Sequence, residues 1–518
     1  MPILGPLFQR IVDLQKTIPK VRKRKNPATI QKNTLKKLLW KAQNTSFGKQ
    51  YNFGDIYFSS DPVSLFQKNV PVFDYNKIYQ AWWHRTLNGE EDVCWPGKTK
   101  YFALSSGTSE AASKHIPITA DILRSIKRTS IRQILSLANY DILVDVLGKG
   151  FLAIGGSTNL RFKGTYFEGD LSGISARTVP FWFQQFNKPG MAINMERDWE
   201  TKIEKIVESA KDWDIGFIAG VPAWVQIVIE KVIARYNAKT IHDVWPNLRV
   251  FVHGGVSLEP YRKSFEKYFA HPIIYIDTYL ASEGFVAFQT RPRTHSMQLN
   301  LNNGIFFEFV PFTDKNFDAD GAMVDHPETL TLDQVEEDKE YALLMSTNAG
   351  AWRYLIGDTI KFTSVLRSEI LITGRTKHFL SLCGEHLSVD NMNHAIARLA
   401  DEFNVVINEY TVAGINYEGR FAHHWYVGVN EKVDALAFRK RLDEVLCEIN
   451  DDYCVERQAA LKEIFVDLLP LSVFHEWMRA KGKQGGSHKF PRVMKKAQLE
   501  EWKTFIATQA QLSQKTIL

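Results

Sequence analysis

The chain has 518 residues, of which 45% are hydrophobic, 24% charged and 12% aromatic. Such a length buries a sizeable core and divides into two or more domains. Its apolar runs fall short of the roughly 18 residues that span a bilayer, which argues against stable membrane insertion. The formal charge of +6 is uneven, because residues 1–40 hold ten Lys and Arg against one acid, Asp13.

At the start, Ile3, Leu4, Leu7, Phe8, Ile11, Val12 and Leu14 fall at helical rather than continuous spacing, and no small-residue cleavage site follows. An amphipathic helix docked on the body is expected, not a secretory signal. The basic cluster "KVRKRKNP" (Lys20 to Pro27) could face nucleic acid or an anionic membrane surface, but reads better as a solvated link between helices. No zinc-knuckle spacing or repeated basic-aromatic pattern supports nucleic-acid binding. Residues 1–90 read as helical, with apolar positions at i, i+3 and i+4 in "TLKKLLWKAQ".

From about residue 100, short apolar runs alternate with amphipathic stretches: "YFAL", "ADILRSIKRTSIRQILSLA", "GFLAIGG", "DIGFIAG", "VPAWVQIVIEKVIARY", "LRVFVHGG" and "PIIYIDTYLASEG". This order predicts an α/β domain with a largely parallel sheet. In such sheets ligands bind beyond the carboxyl ends of the strands. "YALLMST", "DTIKFTS" and "EILITGR" then read as consecutive β segments, a barrel-like piece. The remaining residues form a smaller α+β module that includes "VDNMNHAIARLADEF" and "HHWYVGV". The division is placed at Gly374-Arg375, giving domains 1–374 and 375–518. Cys94, Cys383, Cys447 and Cys454 make no Cys-x-x-Cys pair, so a reducing, cytoplasmic compartment is expected.

Four stretches carry candidate chemistry. Ser105, Ser106, Gly107, Thr108 and Ser109 follow a predicted strand, and their hydroxyls and unobstructed amides could wrap an oligophosphate. A Walker A loop needs lysine directly after glycine, whereas Lys114 lies seven residues beyond Gly107. Glu283 in "YLASEGF" could hold Mg²⁺, which shares oxygen ligands with substrate phosphates, or could cap a following helix. Asp358 in "AWRYLIGDTIKF" could accept both ribose hydroxyls, or sit in a Gly-Asp hairpin turn. Gly254-Gly255, after His253 in "FVHGGVSLEP", lets backbone approach a flat ligand or makes a tight turn.

The order of these stretches resembles the acyl-adenylate-forming superfamily of acyl-CoA ligases, peptide-synthetase adenylation domains and luciferase. Within it, "SSGTS" with Lys114, "YLASEGF", "WRYLIGDTIKF" and "GSHKFPR" (Gly486 to Arg492) resemble the motifs of the auxin-responsive (Gretchen Hagen) acyl acid amido synthetase family. Two departures stand out. Ser-Glu-Ala-Ala-Ser precedes Lys114 where many adenylating enzymes carry glycines and a proline. Ser487-His488 stands where plant members commonly have Gln-Tyr.

The resemblance implies an ATP-dependent ligase that joins a small carboxylic acid to an amine, an amino acid in particular, through an acyl adenylate. It implies that Ser105 to Ser109 bind phosphates with Ser282 beside them, and that Glu283 serves Mg²⁺ and the α-phosphate. His253, Gly254, Gly255 and Tyr279 would lie near adenine, and Asp358 would hold the ribose. Arg375 and its neighbours resemble the superfamily's hinge. Lys489, carried by a small domain that rotates, would stabilise the adenylation transition state. The aromatic-rich span Ser157 to Phe186 is the candidate acyl wall, with Arg161 or Arg177 as carboxylate partners or ordinary surface arginines. An acyl-CoA ligase and a non-catalytic nucleotide-binding relative remain as alternatives.

Overall fold

The computed structural model describes residues 26–105, 114–140, 146, 148–178, 184–255, 258–318, 321–376, 379–380, 382–383, 385, 387–481, 490–494 and 496–515. The amphipathic reading of residues 3–14 and the basic residues 20–25 therefore lie outside the described residues. So do Ser106, Gly107, Thr108, Ser109 and Lys489. The described residues group into two compact units, the first running to residue 376 and the second starting at residue 379.

The first unit begins with short helices. Helix α1 (Pro27–Ala42) starts on Pro at its first position, with the Asn26 side chain accepting from the Ala28 amide. Its buried face, Gln31, Thr34, Leu35, Leu38, Leu39 and Ala42, follows the helical repeat. Further helical pieces span Ser46–Gln50, Phe53–Phe58, Pro62–Asn69, Tyr75–Ile78, Tyr79–Trp83 and His84–Leu87.

Strands β1 (Tyr101–Ser105) and β2 (Lys114–Ile118) pair antiparallel, with Ser105 opposite Lys114. Helix α2 (Ala120–Ser136) follows, capped by Thr119. Then come β3 (Gly150–Ala153), β4 (Arg161–Phe162), β5 (Phe167–Gly169), β6 (Asn187–Lys188), α3 (Trp199–Ser209), β7 (Ile215–Gly220), α4 (Pro222–Arg235) and β8 (Val250–Gly254). Past α5 (Glu259–Glu266) lie β9 (Ile274–Ala281), β10 (Gly284–Phe288), β11 (Met297–Leu299), β12 (Ile305–Pro311), β13 (Glu340–Thr347), β14 (Tyr354–Ser364) and β15 (Glu369–Arg375).

A four-stranded sheet has the order β2-β1-β5-β4, and an eleven-stranded sheet runs β12-β13-β14-β15-β11-β10-β9-β8-β7-β3-β6. From β6 to β9 the large sheet is parallel. It continues antiparallel from β9 through β12, and among the described residues it closes no barrel. Its β12 edge is covered by α1: Gln31 donates to the Ile305 carbonyl at 3.0 Å and accepts from the Phe307 amide at 2.7 Å. One polar side chain thus satisfies strand groups that would otherwise invite another chain.

The main core lies between the helical layer and the antiparallel half of the sheet. Phe47, Phe53, Phe66 and Trp352 pack ring on ring there. Arg353, next in sequence, is buried and pairs with buried Glu308 at 3.0 Å. The same guanidinium donates to the Gln67, Val70 and Thr329 oxygens at 2.8, 2.6 and 2.8 Å. All of its directions are used, as a buried charge requires.

The second unit has a three-stranded sheet, β18 (Tyr410–Tyr417), β19 (Arg420–Gly428) and β20 (Leu461–Leu469), after two short strands, β16 (Phe379–Leu380) and β17 (Leu387–Ser388). Its helices are α6 (Val389–Phe403), α7 (Ala435–Ile449), α8 (Asp451–Ala459), α9 (Leu471–Ala480) and α10 (Lys496–Lys515). Phe474, Trp477, Phe490 and Trp502 form its aromatic core.

Candidate active site

The parallel strands β3, β7, β8 and β9 end on the same side of the sheet, where its turns collect. At the end of β8, Gly254 lies opposite Thr278 of β9, and a Cβ at Gly254 would sit 2.4 Å from the Thr278 carbonyl oxygen. Only glycine allows the strands to run that close. Gly255 follows with φ +82°. His253 lies opposite Asp277, its Nδ1 3.6 Å from a carboxylate oxygen. Burial pushes the Asp277 carboxyl up to about 6. Tyr279, two residues along β9, shares its face with Asp277.

Strand β9 turns directly into β10, with Ala281 opposite Gly284. Ser282 and Glu283 are therefore the two residues of a tight hairpin turn. Glu283 precedes a strand and not the helix that one sequence reading allowed it to cap. Its carboxyl is buried, which raises its pKa, and Lys114 is the strongest charge opposing that rise; Asp358 and Arg375 also act on it. The buried Tyr354 hydroxyl is raised by burial and by the Glu283 charge.

Asp358 does not occupy a hairpin turn. Gly357, at φ +94°, lies inside the continuous strand β14, so its left-handed conformation bends the chain without ending it. Asp358 is opposite Arg375 of β15, and Arg375 Nε lies 2.8 Å from Asp358 Oδ1. The Tyr279 hydroxyl donates to the other carboxylate oxygen. Residues separated widely in the chain, buried Tyr279, Glu283 and Asp358 and half-buried Arg375, thus form one cluster.

Lys114, which the sequence reading set aside in favour of Lys489, joins that cluster. It is 9% exposed, and its ammonium lies 5.4 Å from the Tyr75 ring centroid. Spacing from Gly107 hid this; the strand register, which sets Ser105 against Lys114, explains it.

In the second unit, Lys489 lies outside the described residues, but the residues after it are firmly held. Phe490 is buried in the aromatic core. Arg492 donates to Glu409 at 2.7 Å and stacks 4.5 Å over Tyr410. Near the start of this unit Glu385 and His423, both fully buried, are 2.9 Å apart. Glu385 also accepts from the Leu382 and Cys383 amides.

Among the described residues, no group of three or more His, Cys, Asp or Glu is arranged to hold a metal ion. Glu283 would supply one carboxylate, which fits a cation that takes most of its ligands from phosphates and water. No helix of the described residues is long and apolar enough to cross a membrane.

The GH3 family N-terminal domain matches residues 21–164 and 158–273, its central domain 298–369, and its C-terminal domain 390–498. Indole-3-acetic acid-amido synthetase GH3.2 of Arabidopsis thaliana is 25% identical over 43% of this chain and 42% of its own length. Jasmonoyl--L-amino acid synthetase JAR4 of Nicotiana attenuata is 24% identical over 65% of this chain and 67% of its own. The match to GH3.2 therefore spans less than half of that relative. Among solved structures, the GH3.15 acyl acid amido synthetase superposes with a TM-score of 0.58 at 17% identity, covering 96% of each chain. A 2-hydroxyisobutyryl-CoA ligase superposes with a TM-score of 0.60 at 13% identity, covering 92% and 90%. Both share this fold.

Proposed function

The chain belongs to the GH3 family, and from that premise we propose that it is an ATP-dependent acyl acid amido synthetase. A carboxylate attacks the α-phosphorus of ATP in line, forming an acyl adenylate and releasing pyrophosphate. An amine, an amino acid in this reading, then attacks the activated carbonyl to give an amide and AMP. The observation that carries the reading is the cluster of buried Glu283, Lys114, Asp358 and Tyr279 with half-buried Arg375. Phosphoryl transfer needs charges positioned around the phosphates more than it needs a protein nucleophile, and this cluster offers both signs within one turn-and-strand framework.

Asp358 would accept the ribose hydroxyls, its geometry set by Arg375 and Tyr279. His253, Gly254, Gly255 and Tyr279 would flank adenine. Ser105 to Ser109, with Ser282 and Lys114, would face the phosphates. Mg²⁺, held through Glu283, would neutralise phosphate charge. Lys489 would be delivered by the second unit for adenylation and withdrawn by a rotation about residues near Arg375 before the amine enters. All four cysteines are free, which supports a cytoplasmic setting.

The test is acid-dependent exchange of pyrophosphate into ATP across a panel of carboxylic acids. Exchange with at least one acid, followed by amide formation when amino acids are supplied, is the expected result. Folded protein that binds ATP yet exchanges with no acid would overturn it, and a thioester formed with CoA in place of an amide would move the protein to the acyl-CoA ligases.

A further inference from the structure

Tyr75 belongs to the N-terminal helical layer, outside every motif singled out in the sequence. It nevertheless reaches two consecutive residues of β2. Its hydroxyl accepts the His115 backbone N–H at 2.9 Å, and its ring face lies 5.4 Å under the Lys114 ammonium. Strand β2 is an edge strand of its sheet, so the Tyr75 oxygen stands where a neighbouring strand's carbonyl would otherwise be. The ring is itself fixed: it stacks on Tyr79 at 5.6 Å and meets Trp83 edge-on at 6.1 Å. Trp83 in turn packs on Tyr354 at 5.4 Å, the tyrosine on which the Glu283 charge acts.

A buried ammonium needs compensation. The Glu283 charge already acts on Lys114 within the cluster, and a further carboxylate beneath the ammonium would repel an incoming phosphate. An aromatic face attracts the cation through its quadrupole and carries no net charge. The lysine can therefore be held in place with its positive charge intact for an anion.

We propose that Tyr75 is a positioning residue for Lys114, holding its ammonium on the ring face and anchoring β2 through the hydroxyl so that the charge meets the triphosphate of ATP. This rests on the adenylating function proposed above. The helical layer thereby contributes to nucleotide binding without touching the nucleotide.

The test measures KM for ATP and kcat in the acid-dependent exchange reaction for the wild type, Tyr75→Phe and Tyr75→Met. The Met variant fills the space without a π face and should raise KM for ATP roughly tenfold, the scale of a desolvated cation–π contact, while kcat changes far less. The Phe variant keeps the ring and should recover most of that loss. Combined with Lys114→Met, Tyr75→Met should add little, because both remove one interaction. Should Tyr75→Met fail to fold, stepwise fluorinated phenylalanines at position 75 keep the shape and weaken the quadrupole, and KM should climb with each fluorine. A flat fluorination series, or a double variant whose losses multiply, would overturn the role of Tyr75 while leaving the exchange activity standing. A wild type with no exchange would overturn the function and this inference together.

Discussion

Arg375 and Asp358 face each other across adjacent antiparallel strands, with Nε 2.8 Å from one carboxylate oxygen and the Tyr279 hydroxyl on the other. Each carboxylate oxygen keeps a second lone pair, so the carboxylate is held in orientation while still able to accept from a ribose. Arg375→Ala should cost stability, because breaking a largely buried pair leaves a charge uncompensated, about 3–5 kcal/mol. Removing both partners should restore part of that stability but none of the ATP–pyrophosphate exchange. Thermal unfolding of the single and double variants, beside exchange rates, checks both halves.

Glu283 should show function and stability in opposition. Its folded pKa lies above the ordinary 4.5 because burial disfavours the charged form. The folded state then holds its proton more tightly than the unfolded chain, so stability falls as pH rises through that window. Glu283→Gln should accordingly raise the melting temperature near neutral pH, with the difference vanishing below the ordinary carboxylate range. The same variant should lose exchange activity. A Gln variant that melts lower at neutral pH would contradict this account.

The Glu385–His423 pair has the reverse sign. Burial would raise the Glu385 carboxyl, but the His423 hydrogen bond and charge and the Cys383 and Leu382 amides outweigh it and bring it down to about 2. Stability from this group is present above the ordinary value of 4.5 and is lost as pH falls towards 2. Glu385→Ala should destabilise the second unit by about 3–5 kcal/mol at neutral pH. The deficit should shrink as the buffer is acidified through that window, which denaturant titrations at several pH values would follow.

Lys489 should separate the two half-reactions. If it acts only on adenylation, Lys489→Ala should lower exchange by roughly 10²–10³, the usual loss for one electrostatic donor. A chemically supplied acyl adenylate should still be converted to amide at close to the wild-type rate. Equal losses in both steps would show that its role is not confined to the first.

Most elements could be read from the chain because their apolar periods are regular: "DIGFIAG" and "LRVFVHGG" are β7 and β8, and "VDNMNHAIARLADEF" is α6. The end of β8 and the Ala-Ser-Glu turn were legible for the same reason. Local spacing could not show that Gly357 bends one strand instead of joining two, since a positive φ is a property of the backbone and not of the letter G. Nor could it show Lys114, whose place depends on the pairing of β1 with β2. Glu385 with His423, and Glu308 with Arg353, are linked across 38 and 45 residues; no period connects such partners, and only the fold supplies the meeting.

Strand β14 begins beside the helical layer, where Phe73 and the residues flanking Tyr354 exchange backbone hydrogen bonds at 2.9 and 2.8 Å, and it carries Asp358 a few residues later. Arg353, just before it, clamps Gln67 and Val70. Any ligand that binds the native state alone stabilises it by mass action, and here the stabilised strand is shared. ATP should therefore act as a folding ligand for helices it never touches. Amide exchange across residues 62–78 should slow when nucleotide is added, and Asp358→Ala should erase that protection from a distance.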